Sequence, residues 1–186
     1  MVKFPFLEEV GLAAVPPEAV TVEVPEEEIT FTDGHMGEYR EWLPADCGDF
    51  LLRRSDGMFA YQLAVVVDDA AMAVTEVVRG RDLLSSTPRQ LWLQEALGLP
   101  HPEYGHLPLL LSPEGRRLAK RDRDQELGEL QRRYTAPELV GQLACAAGLI
   151  DRPQAITPRE LIPLFSWDKV GTQDRIVDSE ALLTHR

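Results

Sequence analysis

The sequence predicts an α/β fold on three observations. Leu63–Val67 is a continuous apolar run ending in Asp68-Asp69, the pattern of a strand buried on both faces whose polar end meets a cleft. Val74–Val78 reads as a second short strand, followed after Gly80 by the helix start Ser85-Ser86-Thr87-Pro88-Arg89-Gln90. From Asp124 onward the pattern is mostly helical.

The elements follow in chain order. Residues 1–28 mix Pro16, Pro17 and Pro25 with acids and valines, which reads as an extended leader. Next, EEITFTDGHMGEYREW predicts a strand and a turn at Asp33-Gly34, and FLLRRSDGMFAYQLAVVV predicts two strands joined through Ser55-Asp56-Gly57. In the helix after Gly80, Thr87 is placed to cap, Pro88 suits the first helical position, and Gln90 completes a capping box. Gly98 and Pro100 stop that helix near Leu97. Three helical segments come later: QELGELQRRY, then LVGQLACAAGLI after the start Thr135-Ala136-Pro137-Glu138, then LIPLF after Thr157-Pro158-Arg159-Glu160. The polar stretch Val170–Arg186 reads as a frayed end.

Length and composition narrow the function classes. A chain of 186 residues with 44% apolar content can bury a real core, and no apolar run approaches the roughly 20 residues of a membrane span. With no signal-peptide pattern at the start, a cytoplasmic protein is expected. Cys47 and Cys145 match no metal spacing and are expected to be reduced, with no chemistry assigned. The formal charge of −12 argues against nonspecific coating of nucleic acid. Bases nonetheless concentrate in one short region, at Arg116, Arg117, Lys120, Arg121, Arg123, Arg132 and Arg133. Interleaved Asp122, Asp124, Glu126 and Glu129 make a solvated helix face the favoured reading on charge alone.

Within that region, Arg116-Arg117-Leu118-Ala119-Lys120-Arg121 follows the turn Ser112-Pro113-Glu114-Gly115. A basic loop of this kind can place cations where charge develops on phosphate oxygens, which phosphoryl and nucleotidyl transfer require. The ordered segments YQLAVVVDD, VVRGRDLLSSTPRQ and GRRLAKR, from Tyr61 to Arg121, together resemble the catalytic core of glutamyl- and glutaminyl-type class I tRNA synthetases. The resemblance extends over Ile29–Trp167, and four ordered motifs (the tyrosine of YQLAVVVDD, the arginine of VVRGRDLL, the STPRQ segment and the loop GRRLAKR) are far more specific than any one. It implies the second half of a Rossmann-type catalytic core with an inserted β-hairpin region and a helical, stem-contact-like C-terminal region.

The resemblance assigns 29–60 to a β-rich remnant of the acceptor-binding insertion, 61–115 to the core half, and 116–186 to the signature loop and helical region. It implies that Tyr61 and Arg79 contact glutamate, as suits a phenol hydrogen bond and a guanidinium fork. Lys120 corresponds to the lysine that contacts the ATP phosphates, and Arg117 stands where the family has its first lysine. Ala119 replaces the family's serine. The implied substrates are glutamate, ATP with its Mg2+, and tRNA; the cysteine and tyrosine zinc site of many members has no counterpart here, so no zinc bound by the protein is expected.

The distance from Lys120 to the chain end, and the segment Leu164–Lys169 (LFSWDK), resemble the glutamyl-queuosine branch of the family, in which glutamate is transferred to the queuosine of tRNA(Asp). The glycine- and histidine-rich turn of the first half-site has no counterpart. Gly34-His35-Met36-Gly37 is only superficially similar, because it lies in a hairpin rather than between a buried strand and a helix. The expectation is a chain that starts mid-fold and is inactive alone. A noncatalytic tRNA-binding remnant and a protein interaction module with an orphaned sheet edge are the alternatives.

Overall fold

A computed structural model describes residues 19–117 and 127–177. The chain divides into two compact units, one of Met1–Asp33, Gly37–Val77 and Leu84–Tyr104, the other of Gly34–Met36, Val78–Leu83 and Gly105–Arg186.

The first unit contains the hairpin of β2 (Glu28–Asp33) and β3 (Gly37–Trp42), paired antiparallel from Glu28↔Trp42 to Asp33↔Gly37. Gly37 carries a φ of +83°, the left-handed conformation that the return from the turn requires. The expected turn after Asp33 is therefore present. A one-turn helix, α1 (Leu43–Asp46), follows with Leu43 fully buried. β1 (Val20–Val22) pairs antiparallel with β4 (Phe50–Arg53), so the leader, expected to be extended, contributes a paired strand to the first unit. Its valines explain this. Val20 and Val22 lie on one side of the strand and pack against the core, a period-2 signal too short to stand out among prolines and acids.

After the Ser55-Asp56-Gly57 turn the expected second strand shrinks to a single bridge, Arg53↔Phe59, because a helix begins at Tyr61. This is the main correction. Residues 61–71 form α2 (Tyr61–Ala71) rather than a strand, and the buried residues Leu63, Val66 and Val67 occupy the i, i+3, i+4 positions of one helix face. An apolar run does not distinguish buried helix from buried strand by periodicity, and its eleven-residue extent is the feature that favours helix. Leu63, Val66 and Val67 join Leu52 and Leu93 in the core, with Val20, Val22, Phe50, Trp92, Leu97 and Leu99 packed around them.

The second expected strand is present two residues later, as β5 (Glu76–Gly80), which pairs with β6 (Glu103–Leu107). A 3-10 turn at Arg81–Ser86 leads into α3 (Thr87–Ala96), which stops at Leu97 with Gly98 at φ +63°, as expected. Its start differs from the expectation. Ser86 is the capping position, Thr87 is wholly buried inside the helix, and Gln90 is 1% exposed rather than closing a capping box.

In the second unit, β7 (Leu110–Leu111) pairs in parallel with β8 (Arg175–Ile176). The stretch after Val170 is thus tied down as far as Val177, where a frayed end was expected: Val177 N donates to Leu111 O at 2.8 Å, and Val170 is itself buried. The helical expectation holds for α4 (Leu127–Arg133), α5 (Ala136–Ala147) and α6 (Pro158–Leu161), the last continued by a 3-10 turn at Ile162–Leu164. In both anticipated starts the acid of the motif accepts from the capping threonine, Glu138 from Thr135 N at 2.8 Å and Glu160 from Thr157 N at 2.8 Å. A short helix, α7 (Trp167–Val170), precedes β8. No helix is long and apolar enough to cross a membrane among the described residues.

Candidate functional site

Tyr61 is the first residue of α2 and is 52% exposed. The backbone around it is fixed from beneath. Gln62, one residue on, donates to Ser86 Oγ at 3.2 Å and accepts from Gln90 Nε2 at 2.7 Å. This chain of side-chain bonds joins the start of α2 to the start of α3, and Gln90 is almost fully buried. A buried Gln90 amide that donates to the half-buried Gln62 favours one arrangement of the two helices, since without that acceptor it would bear its desolvation cost alone. A third glutamine, Gln94, donates to Tyr104 OH at 3.2 Å. All of these residues belong to the first unit.

Arg79 belongs to the second unit. It lies on β5 and is half-buried, and its guanidinium is held along one edge. Nε donates to His106 Nε2 at 3.0 Å and Nη2 donates to Leu83 O at 3.3 Å. The next residue permits the chain to turn at this point. A Cβ at Gly80 would stand 2.5 Å from Asp82 Oδ1 and 3.3 Å from Leu109 Cδ2, so a side chain there would displace Asp82. Asp82 in turn forms an ion pair with Arg117, and Arg81 meets Asp174 at 3.5 Å.

Arg117 reaches that position because the preceding turn is closed by its own backbone. Ser112 N donates to Arg116 O at 2.7 Å, Gly115 N donates to Ser112 O at 2.8 Å, and Leu111 bridges Arg117. Glu114 accepts from Ser112 Oγ at 2.7 Å, which holds its carboxyl below the usual carboxylate range. Arg116 and Arg117 therefore follow a turn closed by backbone bonds, and both are exposed. Lys120 lies outside the described residues, as does Ala119.

Of the residues singled out from sequence, Arg79 and Arg117 thus fall in one unit and are connected through the Arg81–Asp82 turn, while Tyr61 falls in the other. Sequence reasoning missed Gln62 and His106, and took Gln90 for a capping residue. His106 carried a visible signal, as a polar residue within the otherwise apolar run Tyr104–Leu111; Gln62 carried none, because an amide on a helix reads as surface. Cys47 and Cys145 are unbridged, and burial pushes the Cys47 thiol up, away from the reactive thiolate.

Comparison with known proteins places these features in a family. Residues 11–181 match the family described as tRNA synthetases class I (E and Q), catalytic domain. A curated relative from Symbiobacterium thermophilum, named glutamyl-Q tRNA(Asp) synthetase, is 49% identical over 160 residues, covering 86% of this chain and 49% of the relative. One of the same name from Geobacter sulfurreducens is 58% identical over 106 residues, covering 57% of this chain and 34% of the relative. The chain therefore spans about half or less of the length of these relatives. A solved glutamate tRNA ligase from Elizabethkingia meningosepticum superposes with a TM-score of 0.74 at 24% identity, over 97% of this chain and 40% of the other, which shows a shared fold.

Proposed function

We propose that this chain, which belongs to the catalytic-domain family of class I tRNA synthetases of the E and Q type, contributes the second half of a site that activates glutamate with ATP. The observation that carries the reading is Arg79, a half-buried guanidinium anchored along one edge by His106 and Leu83 on a strand, beside the turn that leads through Asp82 to Arg117. A guanidinium fixed in this way is suited to a carboxylate ligand, and the basic loop beyond Arg117 is suited to phosphate.

On this reading Tyr61 and Arg79 bind glutamate, while Arg117 and Lys120 face the phosphates of Mg2+–ATP. The glutamate carboxylate attacks the α-phosphorus, glutamyl-adenylate forms and pyrophosphate leaves. The relatives named glutamyl-Q tRNA(Asp) synthetase support the next step, transfer of glutamate to the queuosine of tRNA(Asp). Residues 61–115 supply the second half of the Rossmann-type core, 29–60 the β-rich acceptor-binding insertion, and 116–186 the signature loop with stem-contacting helices. Arg117 keeps the charge of the family's first lysine and Ala119 lacks a hydroxyl, so Lys120 carries most of the phosphate contact.

The test is glutamate-dependent ATP–pyrophosphate exchange, measured with this chain alone and with the chain extended at its N terminus by the corresponding residues of the Symbiobacterium relative. The chain alone is expected to be silent and the extended protein active; exchange by the chain alone shows the added half to be dispensable. In the extended protein, Arg79→Ala is expected to lower kcat/KM for glutamate by roughly tenfold or more and Tyr61→Phe by about fivefold. Exchange that is indifferent to Arg79→Ala defeats the assignment.

A further inference from the structure

His106 is the most deeply buried ionisable residue near Arg79, with 0% of its surface exposed. It sits on β6 beside Gly105, where a Cβ would come within 3.3 Å of the Trp167 ring, so the strand is closely covered at this point. Its Nε2 lies 3.0 Å from Arg79 Nε. An arginine Nε–H only donates, so His106 Nε2 must hold a lone pair and the ring proton must sit on Nδ1. Leu83 O takes the neighbouring N–H on Nη2. These two bonds occupy the side-on edge of the guanidinium and fix both its plane and its direction.

We infer that His106 is a positioning residue: from within β6 it accepts the Arg79 Nε–H and aims the end-on edge of the guanidinium at the substrate carboxylate. The inference rests on the glutamate reading of Arg79 given above. It adds that reading's missing physical condition, because an arginine side chain has four rotatable bonds and binds a carboxylate in bidentate fashion only when its fork is already oriented. A buried acceptor facing Nε removes most of that freedom before the ligand arrives. Such an acceptor must be uncharged, since a protonated imidazole would offer a second donor to a donor.

The test uses the full 15N-labelled chain. Long-range proton–nitrogen correlation spectra report the His106 tautomer directly, and the Nδ1–H form is expected; an Nε2–H form overturns the proposal. The Arg79 Nε–H resonance, assigned by its loss in Arg79→Lys, is expected to exchange slowly with water. In His106→Leu its exchange should rise about tenfold, and in His106→Gln, whose Oε1 can accept the same bond, it should stay within about threefold of the parent. Unchanged exchange in a folded His106→Leu protein sinks the proposal. Where that variant does not fold, the parent tautomer and the His106→Gln exchange rate decide the matter.

Millimolar l-glutamate added to the N-terminally extended protein and to its His106→Leu variant then separates the two claims. A shift of the Arg79 Nε resonance that weakens in His106→Leu supports both. No shift, with tautomer and exchange as expected, leaves the clamp established and removes glutamate as its ligand.

Discussion

At the residue scale, the clearest chemical consequence lies in the β3 pair Tyr39 and Glu41. Glu41 is 7% exposed, accepts from Tyr39 OH at 2.7 Å through Oε1, and has an Oε2 that is buried without a hydrogen-bond partner. Burial raises its carboxyl above the ordinary 4.5, against the opposing influence of the Tyr39 bond and Arg89. Burial and the same bond to Glu41 push the Tyr39 phenol up from 10.0 to about 12. Both native pKa values are raised, so the native state holds each proton longer than the unfolded chain does. The stabilisation this gives is complete below the unfolded value and is lost as pH rises through the native one. For Glu41, stability should therefore fall as pH rises from 4.5. The measurement is Tm against pH for the parent and for Glu41→Gln. The parent should gain on the variant as pH drops from 7 toward 4.5, and a constant difference would contradict the assignment. For Tyr39 the corresponding window is pH 10 to 12.

At the scale of elements, what was legible in the sequence divides according to whether the determining interactions are local. The starts of α5 and α6 were readable because a capping threonine, an early proline and an acid three residues on act within one turn. Bonds from Thr135 hold the Glu138 carboxyl below its usual range, as bonds from Thr157 do for Glu160. The hairpin of β2 and β3 was readable for the same reason. α2 was not, since its run of valines suits strand and helix alike and the choice is made by packing against Leu52 and Leu93. Gln90 was misread because its true partner, Gln62, is 28 residues away. β8 escaped notice because two residues in parallel with Leu110 and Leu111 leave no pattern in the sequence. A prediction follows for α5, whose buried Gly141 would carry a Cβ 1.8 Å from Gln154 O, a backbone atom that cannot move aside without shifting its segment. Gly141→Ala should destabilise by about 3 kcal/mol despite alanine's better helix propensity. Urea denaturation checks this, and a gain in stability would show that residue 154 does not pack there.

At the scale of the whole molecule, net charge and its distribution act against each other. A chain of −12 repels a polyanion at long range, whereas Arg116, Arg117, Lys120 and Arg121 follow one another closely, with Arg132 and Arg133 in the last turn of α4. Arg116 and Arg117 leave the closed Ser112–Gly115 turn exposed to solvent, although Arg117 also pairs with Asp82. An exposed pair of this kind is weak and can be exchanged for a phosphate. If the basic loop is the tRNA-facing element, binding should be visible at low salt and fade steeply as salt rises, because each neutralised phosphate releases a condensed counterion. With four cations engaged, the slope of log K against log salt should be about −3, taking roughly −0.7 to −0.9 per contact. Electrophoretic shifts with tRNA at several salt concentrations supply that slope. Replacing Arg116, Arg117, Lys120 and Arg121 by alanine should abolish the shift, and replacing Arg117 alone should reduce the slope by less than one, since its release from Asp82 offsets part of the gain. A slope near zero, or a shift that survives the fourfold replacement, would move the contact away from this basic loop.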